Sequence, residues 1–109
     1  MVTAPHHLAA EAGLSVLRDG GNAVEATIAA AATIAVVYPH MNAIGGDGFW
    51  LIHHPDADLV AIDACGAAGQ KVDEALYAEF DAIPPRGPLA ANTVAGTISG
   101  WQTALDATT

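Results

Sequence analysis

The sequence predicts a layered α/β fold whose sheet is incomplete within these 109 residues. Three observations support this prediction: two helical patterns at the start, two short strand-like runs in the middle and a third helical pattern near the end. The predicted helices span 8–19, 23–37 and 95–107, and the predicted strands span 48–53 and 59–63. Two strands are too few for a stable sheet, so we expect polypeptide outside these residues to complete it.

The first two helices carry clear boundary signals. The pattern over 8–19 has one apolar face and stops at Gly20, which is followed by a second glycine. Asn22 is a favourable N-cap for the second helix, and Glu25 stands at its third position, as in a capping box. Because the helix over 23–37 is apolar on nearly all sides, we expect neighbours to cover it on several sides.

The central region predicts a hairpin and a short irregular segment. The run over 48–53 is apolar without alternation, so we expect both faces of this strand to be covered, with helices on the two sides of the hairpin. A turn over 55–58 joins the strands. A short helix over 72–80 and a rigid proline-rich loop over 81–89 are expected to follow.

Composition indicates that this chain is covered by more protein. Its hydrophobic fraction is 52% and its mean hydropathy is +0.35, whereas a domain of this size buries only about 65% of the surface that its unfolded chain exposes. This surplus of apolar residues predicts that the chain is a segment of a larger molecule or a subunit of a tight complex. A homo-oligomer is one form that such a complex could take. We expect the chain to continue past its last predicted helix.

Charge and cysteine content exclude several classes of function. The net charge is −9 with three basic residues, which disfavours nucleic acid and anionic membranes as partners.

The sequence shows no signal for a membrane span or for secretion. The longest apolar run, 26–38, is shorter than the ~20 residues that span a bilayer. One cysteine allows no intrachain disulfide, and the start has no basic residue or long apolar run typical of a secretory signal. We therefore expect a cytoplasmic protein.

A glycine-rich loop, Gly45-Gly46-Asp47-Gly48, joins the second helix to the first strand. Such a loop can present backbone N–H groups to an anion or a developing oxyanion. It is neither a Walker loop, since no Lys-Ser/Thr follows, nor a dinucleotide fingerprint, since it opens a strand. The alternative is a tight helix-to-strand turn.

Four polar residues are candidates for chemistry, each with a structural alternative. Asp47 and Asp63 could act as acid or base, or could bond backbone N–H groups in turns. Cys65 could be a nucleophile, but a small buried thiol is the ordinary role. Arg86 could bind a substrate carboxylate or form a surface ion pair.

The histidines do not predict a metal site. Two adjacent pairs, His6-His7 and His53-His54, have no zinc-motif spacing, and the members of a pair on a strand point to opposite faces. His40, at the end of the second helix, suits the helix dipole better than catalysis. We expect no metal and no cofactor.

Four segments, in order along nearly the whole chain, together resemble the γ-glutamyltranspeptidase family. Residues 5–13 resemble its opening helix and 17–26 its "GGNAVDA" segment. Residues 39–49 resemble its "PxxxGIGGGGF" loop and 93–101 its "VPGTVAGW" segment.

The resemblance implies an N-terminal nucleophile hydrolase, an α/β protein with a four-layer αββα sandwich that is incomplete in this chain. In that family the precursor cleaves itself, and a threonine at the new N-terminus of the small catalytic subunit attacks an amide. Residues 1–109 would form the N-terminal part of this domain, in the large subunit. The nucleophile is expected beyond Thr109, so no catalytic residue is assigned here. Thr108 and Thr109 follow the last helix and stand in the wrong context for that role.

One departure bears on the substrate. Family members that bind a γ-glutamyl group have an arginine after the second strand, in a segment like "RETAP", where this chain has Cys65. Residues 38–42, 46–52, 64–66 and 81–90 instead resemble the oxamate amidohydrolase branch, which hydrolyses a small amide with an adjacent carboxylate.

This resemblance implies that Cys65, Arg86, Gly46 and Asp47 bind a small-molecule amide. It also implies that Cys65→Arg would favour γ-glutamyl substrates. The alternatives are a γ-glutamyltransferase or glutathione hydrolase, and a non-catalytic truncated module that binds a partner.

Overall fold

The structure is a computed structural model that describes residues 1–90 and 93–108. Its elements in chain order are α1 (His7–Arg18), α2 (Ala23–Val37), β1 (Gly48–Ile52), β2 (Val60–Ala64), a 3₁₀ turn (Glu74–Tyr77) and α3 (Thr97–Asp106). The predicted order of helices and strands is confirmed, with most boundaries displaced by one or two residues.

Helices α1 and α2 form an antiparallel pair that is defined by local signals. Gly20 has φ +93°, a left-handed conformation that favours glycine and ends α1. The predicted capping box opens α2: Asn22 Oδ1 accepts hydrogen bonds from the backbone N–H groups of Val24 (2.8 Å) and Glu25 (3.0 Å). In return, Glu25 Oε2 accepts one from the Asn22 backbone N–H (2.7 Å). These bonds satisfy donors that a helix start would otherwise leave unpaired.

The core of this pair is built from small and branched residues. Ala9 of α1 packs with Ala30 and Ile34 of α2. The side of α2 that carries Val36 is open, with 77% of that residue exposed. The expectation that α2 is covered on several sides is therefore not met by the described residues alone. None of the described helices has the length and apolar character required to cross a membrane.

Strands β1 and β2 pair antiparallel, with Trp50 opposite Ile62. The two faces of this hairpin differ. Trp50 and Ile62 are half-buried on the face toward α3, whereas Phe49 and Leu51 point the other way and are 70% and 71% exposed. The prediction that both faces are covered, with helices on either side, is wrong for the described part of the chain. The apolar run lacks alternation, yet the described residues cover only the face of the hairpin that lies toward α3.

Two further predictions need correction. The helix expected over 72–80 is a single 3₁₀ turn, Glu74–Tyr77, in which no residue is buried. A short helix gains most of its stability from packing, and this segment has little. Strand β1 ends at Ile52, so the adjacent histidines lie beyond the strand, where His54 Nδ1 accepts a hydrogen bond from the Asp56 backbone N–H (3.2 Å).

The glycine loop is joined directly to the start of α3. The carbonyl oxygen of Gly46 accepts hydrogen bonds from the backbone N–H groups of Gly96 (2.9 Å) and Thr97 (3.0 Å) and from Thr97 Oγ1 (2.7 Å). A carbonyl at this position satisfies donors at the helix N-terminus. We call this arrangement the loop–helix junction.

The loop–helix junction depends on glycines that permit close backbone approach. A Cβ on Gly96 would overlap the carbonyl oxygen of Ala64, and a Cβ on Gly66 would overlap that of Val94. One turn further along α3, a Cβ on Gly100 would lie 2.6 Å from the Ala64 Cβ. Helix α3 therefore lies against the end of β2 at a distance that side chains would prevent.

We expect Gly96→Ala to destabilise the full protein by about 3 kcal/mol, the upper end of the usual cost of overpacking. The added methyl meets backbone, which cannot rotate away. Gly45→Ala is the matched control, because a Cβ there has no atom within 4 Å. The midpoint of denaturant unfolding measures both effects. Equal shifts for the two variants would contradict the close approach.

Candidate active site

The Asp47 carboxylate connects three segments that are distant in sequence. Its Oδ1 atom accepts hydrogen bonds from the backbone N–H of Gly66 (3.1 Å) and from Thr93 Oγ1 (3.0 Å). Asp47 immediately precedes β1, Gly66 follows β2, and Thr93 precedes α3. The Asp47 side chain therefore joins the glycine loop to the segment that follows β2 and to the segment that precedes α3.

Thr93 is held in place by backbone pairing. An isolated antiparallel bridge joins Thr93 to Ala68, and the Val94 backbone N–H donates to the carbonyl of Ala67 (2.9 Å). The hydroxyl that meets Asp47 thus comes from an ordered segment.

Cys65 lies at the end of β2, next to this carboxylate. Its backbone N–H donates to Asp63 Oδ1 (2.9 Å), which forms the turn that ends the strand. The next residue, Gly66, donates its backbone N–H to Asp47 Oδ1, so Cys65 is the immediate neighbour of a residue that contacts this carboxylate. Both Cys65 and Asp47 are exposed to solvent in the described part of the chain.

The two groups shift each other's protonation in opposite directions. The backbone N–H of Gly66 is the main cause that lowers the pKa of Asp47, followed by the Thr93 hydroxyl and the Cys65 thiol. The pKa of Cys65 is raised, first by partial loss of hydration around the thiol, then by the hydrogen bond with Asp47 and by the charges of Asp47 and Asp63. At neutral pH the pair therefore consists of an ionised carboxylate and a protonated thiol.

This protonation state limits the chemistry of both residues. A cysteine nucleophile needs a lowered pKa and a nearby base, and Cys65 has the opposite shift. Asp47 is a hydrogen-bond acceptor whose lowered pKa suits an acid–base role at neutral pH poorly. For Asp63 the structure favours the alternative of bonding a backbone N–H in a turn. Asp47 instead bonds Gly66 and Thr93, which are distant in sequence, so the local turn alternative does not describe it.

Gly46 takes part in the loop–helix junction through its carbonyl oxygen rather than its N–H. This favours the alternative of a tight helix-to-strand turn for the glycine loop. A role of Gly46 in substrate binding stays a prediction.

A cavity of about 240 Å³ opens between α2, β1 and α3, beside Asp47. Its lining combines the aromatic residues Trp50 and Trp101 with polar groups of Asn42 and Thr97. A largely apolar recess with a few polar groups is typical of a wall of a small-molecule pocket.

Arg86 is separate from these contacts. It is exposed in the proline-rich segment, and within residues 1–90 and 93–108 neither an ion pair nor a hydrogen bond joins it to Asp47 or Cys65. No contact of the described residues tests the role of Arg86 in carboxylate binding, so this role stays a prediction.

The histidines are dispersed. Across the part of the chain that the structure describes, no three His, Cys, Asp or Glu side chains form a group that could hold a metal ion. The His40 ring lies against Tyr38 at the end of α2, with ring centroids 4.2 Å apart.

Comparison with known proteins identifies the family. The model of the gamma-glutamyltranspeptidase family matches residues 9–107, almost the whole chain. The chain belongs to the gamma-glutamyltranspeptidase family.

Named relatives in this family are hydrolases. The chain is 62% identical over 105 residues to the oxamate amidohydrolase proenzyme of Klebsiella pneumoniae, covering 96% of this chain and 20% of that protein. It is 43% identical over 106 residues to the glutathione hydrolase-like YwrD proenzyme of Bacillus subtilis, with the same coverage of each. The chain thus spans about a fifth of the length of these relatives.

A solved structure supports the fold assignment. The chain superposes on the gamma-glutamyltranspeptidase of Helicobacter pylori with a TM-score of 0.87 and 32% identity, covering 98% of this chain and 32% of that one. The predicted fold class, that of the N-terminal nucleophile hydrolases, is confirmed, with this chain as one part of it.

Sequence reasoning missed three residues that build the site in this family member: Gly66, Thr93 and Gly96. Each lies in a loop, where neither helical nor strand periodicity gives a signal. The usable signal for Gly96 and Thr93 was their place in the "VPGTVAGW"-like segment, but that pattern does not indicate the Asp47 contact.

We predict that Cys65 reacts with iodoacetamide at higher pH than an ordinary cysteine thiol, whose pKa is about 8.5, because the pKa of Cys65 is raised. A raised pKa means that the thiolate forms later as pH increases. In the full protein, mapping of the alkylated peptide by mass spectrometry follows this one residue.

The Asp47→Asn variant should shift the midpoint of alkylation to lower pH, because it removes the neighbouring negative charge, although the partial loss of hydration around the thiol still raises the pKa of Cys65. An unchanged midpoint in that variant would contradict the pairing of the two side chains.

Proposed function

We propose that the complete protein containing this chain is an amidohydrolase that cleaves a small carboxylate-bearing amide such as oxamate. The observation that carries this proposal is the neutral thiol of Cys65 beside the Asp47 carboxylate. The resemblance to γ-glutamyl-binding relatives leads one to expect an arginine at that strand end.

The electrostatics of this region disfavour a γ-glutamyl substrate. An arginine contributes about 1.5–3 kcal/mol through a charge-assisted bond to a carboxylate. Cys65 cannot make that bond, and the carboxylates of Asp47 and Asp63 repel a substrate carboxylate placed there. A smaller substrate, whose single carboxylate is bound elsewhere, avoids both costs.

The relatives support the same substrate class. The protein named oxamate amidohydrolase proenzyme is 62% identical to this chain, whereas the glutathione hydrolase-like protein is 43% identical. Since the chain spans about a fifth of each, the assignment of the substrate to this protein belongs to the proposal.

The proposed reaction uses a threonine that lies outside these 109 residues. Its hydroxyl oxygen attacks the amide carbon, the tetrahedral oxyanion collapses, and the C–N bond breaks as the nitrogen leaves as ammonia with the proton from the hydroxyl. Water then attacks the acyl ester, releasing oxalate and restoring the threonine. The name proenzyme, carried by both relatives, supports a partner subunit derived from the same precursor.

This chain would supply one wall of the substrate pocket. The loop–helix junction fixes the glycine loop, and Asp47 fixes the residues that follow β2. A cation is still needed for the substrate carboxylate, and we assign it to Arg86 or to a residue outside this chain.

Glutathione hydrolysis is the second candidate, favoured by the name of the Bacillus subtilis relative. A non-catalytic truncated module that binds a partner through the exposed apolar face of β1 is the third. The two enzymatic candidates require a threonine-led segment further along the reading frame, and the module does not.

The test is a comparison of substrates with the purified full-length protein. We expect ammonia release from oxamate to exceed cleavage of γ-glutamyl-p-nitroanilide by about tenfold or more in kcat/KM, the factor that one charge-assisted bond provides. Intact mass should show two subunits from one precursor. A preference for the γ-glutamyl substrate would favour glutathione hydrolysis, and a single unprocessed chain inactive on both would favour the module.

A further inference from the structure

We propose that Asp47 and Cys65 form a coupled specificity pair, in which the Asp47 carboxylate determines whether an arginine at position 65 can bind substrate. With Asp47 present, an introduced guanidinium pairs with this carboxylate and is withheld from the substrate. This inference rests on the proposed function and concerns how its specificity is set.

Asp47 is held in a fixed position. Its Oδ1 atom accepts hydrogen bonds from Gly66 N–H (3.1 Å) and Thr93 Oγ1 (3.0 Å), and the segments that carry these two donors are paired with each other. A carboxylate tied to two ordered segments cannot rotate away to make room for a new partner. Among the described residues both of these bonds use Oδ1, so a donor from position 65 would pair with Oδ2.

Position 65 is close to this carboxylate. Cys65 is the residue before Gly66, whose N–H donates to Asp47 Oδ1, and the charge of Asp47 acts on the Cys65 thiol. An arginine at this position would begin from the same Cβ and carry five donors in a planar fork that fits a carboxylate.

The charge around position 65 is negative. Asp63 Oδ1 lies 2.9 Å from the backbone nitrogen of Cys65, so two carboxylates surround position 65. A cation there would be neutralised by groups of the protein, which are always present, before a substrate carboxylate could compete.

The sequence pattern is consistent with this coupling. The "GIGGGGF" loop described above has glycine where this chain has Asp47, and the "RETAP"-like segment has arginine where it has Cys65. These two departures are separated in sequence, yet the structure brings their side chains together. A glycine at the loop position would leave an arginine at the strand end unpaired and available.

The experiment is a double-mutant cycle in the full-length protein: the parent, Cys65→Arg, Asp47→Asn and the combination. Asparagine keeps an oxygen acceptor for Gly66 and Thr93 while removing the charge, so it is the conservative replacement. The measurements are kcat/KM for γ-glutamyl-p-nitroanilide and for oxamate, and the inhibition constant of free glutamate, which reports binding without turnover.

In contrast to the expectation from the family resemblance, we expect Cys65→Arg alone to change the γ-glutamyl preference and the glutamate inhibition constant little, because Asp47 would pair with the guanidinium. The combination should raise that preference about tenfold over Cys65→Arg and tighten glutamate inhibition by a similar factor. Asp47→Asn alone should produce neither gain, because it adds no cation.

Two results would overturn the coupling: a full gain from Cys65→Arg alone, or no gain in the combined variant. Should the combined variant fail to fold, a crystal structure of Cys65→Arg decides the question. The introduced guanidinium should lie within 4 Å of the Asp47 carboxylate, the limit of an ion pair, and a guanidinium directed into the open pocket would refute the pairing. Absence of oxamate hydrolysis in the parent would reject the proposed function, while glutamate inhibition would still report on the coupling.

Discussion

The hydrogen bonds to the Gly46 carbonyl are the interaction on which the rest of the site depends. One oxygen accepts from Gly96 N–H, Thr97 N–H and Thr97 Oγ1, and so fixes the start of α3 against the start of β1. The contact is feasible because Gly96 has no side chain to meet the carbonyl of Ala64. The glycines lose more backbone freedom on folding than other residues would, but they allow a rigid connection between the loop, β1 and α3.

This connection determines the chemistry of the neighbouring residue. Because Gly46 is fixed, the next side chain, Asp47, is directed toward the end of β2 and meets Gly66 and Thr93. After the loss of hydration around the thiol, this carboxylate is the next cause that raises the pKa of Cys65, and together with Asp63 it makes the strand end negatively charged. Backbone geometry at a glycine thus leads, through one aspartate, to the charge at the end of β2, on which the proposed substrate preference rests.

The parts of the fold that sequence could predict are those governed by local interactions. The capping box of Asn22 and Glu25 needs only residues three apart, and the hairpin needs only a turn between two strand-like runs. The failures were nonlocal. The apolar run with Phe49 and Leu51 predicts a strand that is covered on both faces, but the sequence does not indicate which polypeptide covers them.

The candidate site was predictable only in part for the same reason. Asp47 and Cys65 stood out as unusual residues in recognisable segments, yet their contact depends on how the loop, β2 and α3 meet. Thr93 and Gly66 gave no signal of their own, because a hydroxyl and a glycine in loops have many ordinary roles. Arg86, selected for its charge in an acidic chain, makes no contact with the pair among the described residues.

The most direct test of this account is hydrogen exchange at the amides of Gly66, Gly96 and Thr97 in the full-length protein. We expect slow exchange at all three, and selective acceleration at Gly66 in the Asp47→Ala variant, since of these three amides only that of Gly66 donates to the carboxylate. Exchange at Gly96 and Thr97 near the rate of an unstructured peptide would contradict it. So would a Gly66 amide whose exchange is unchanged by loss of the Asp47 side chain.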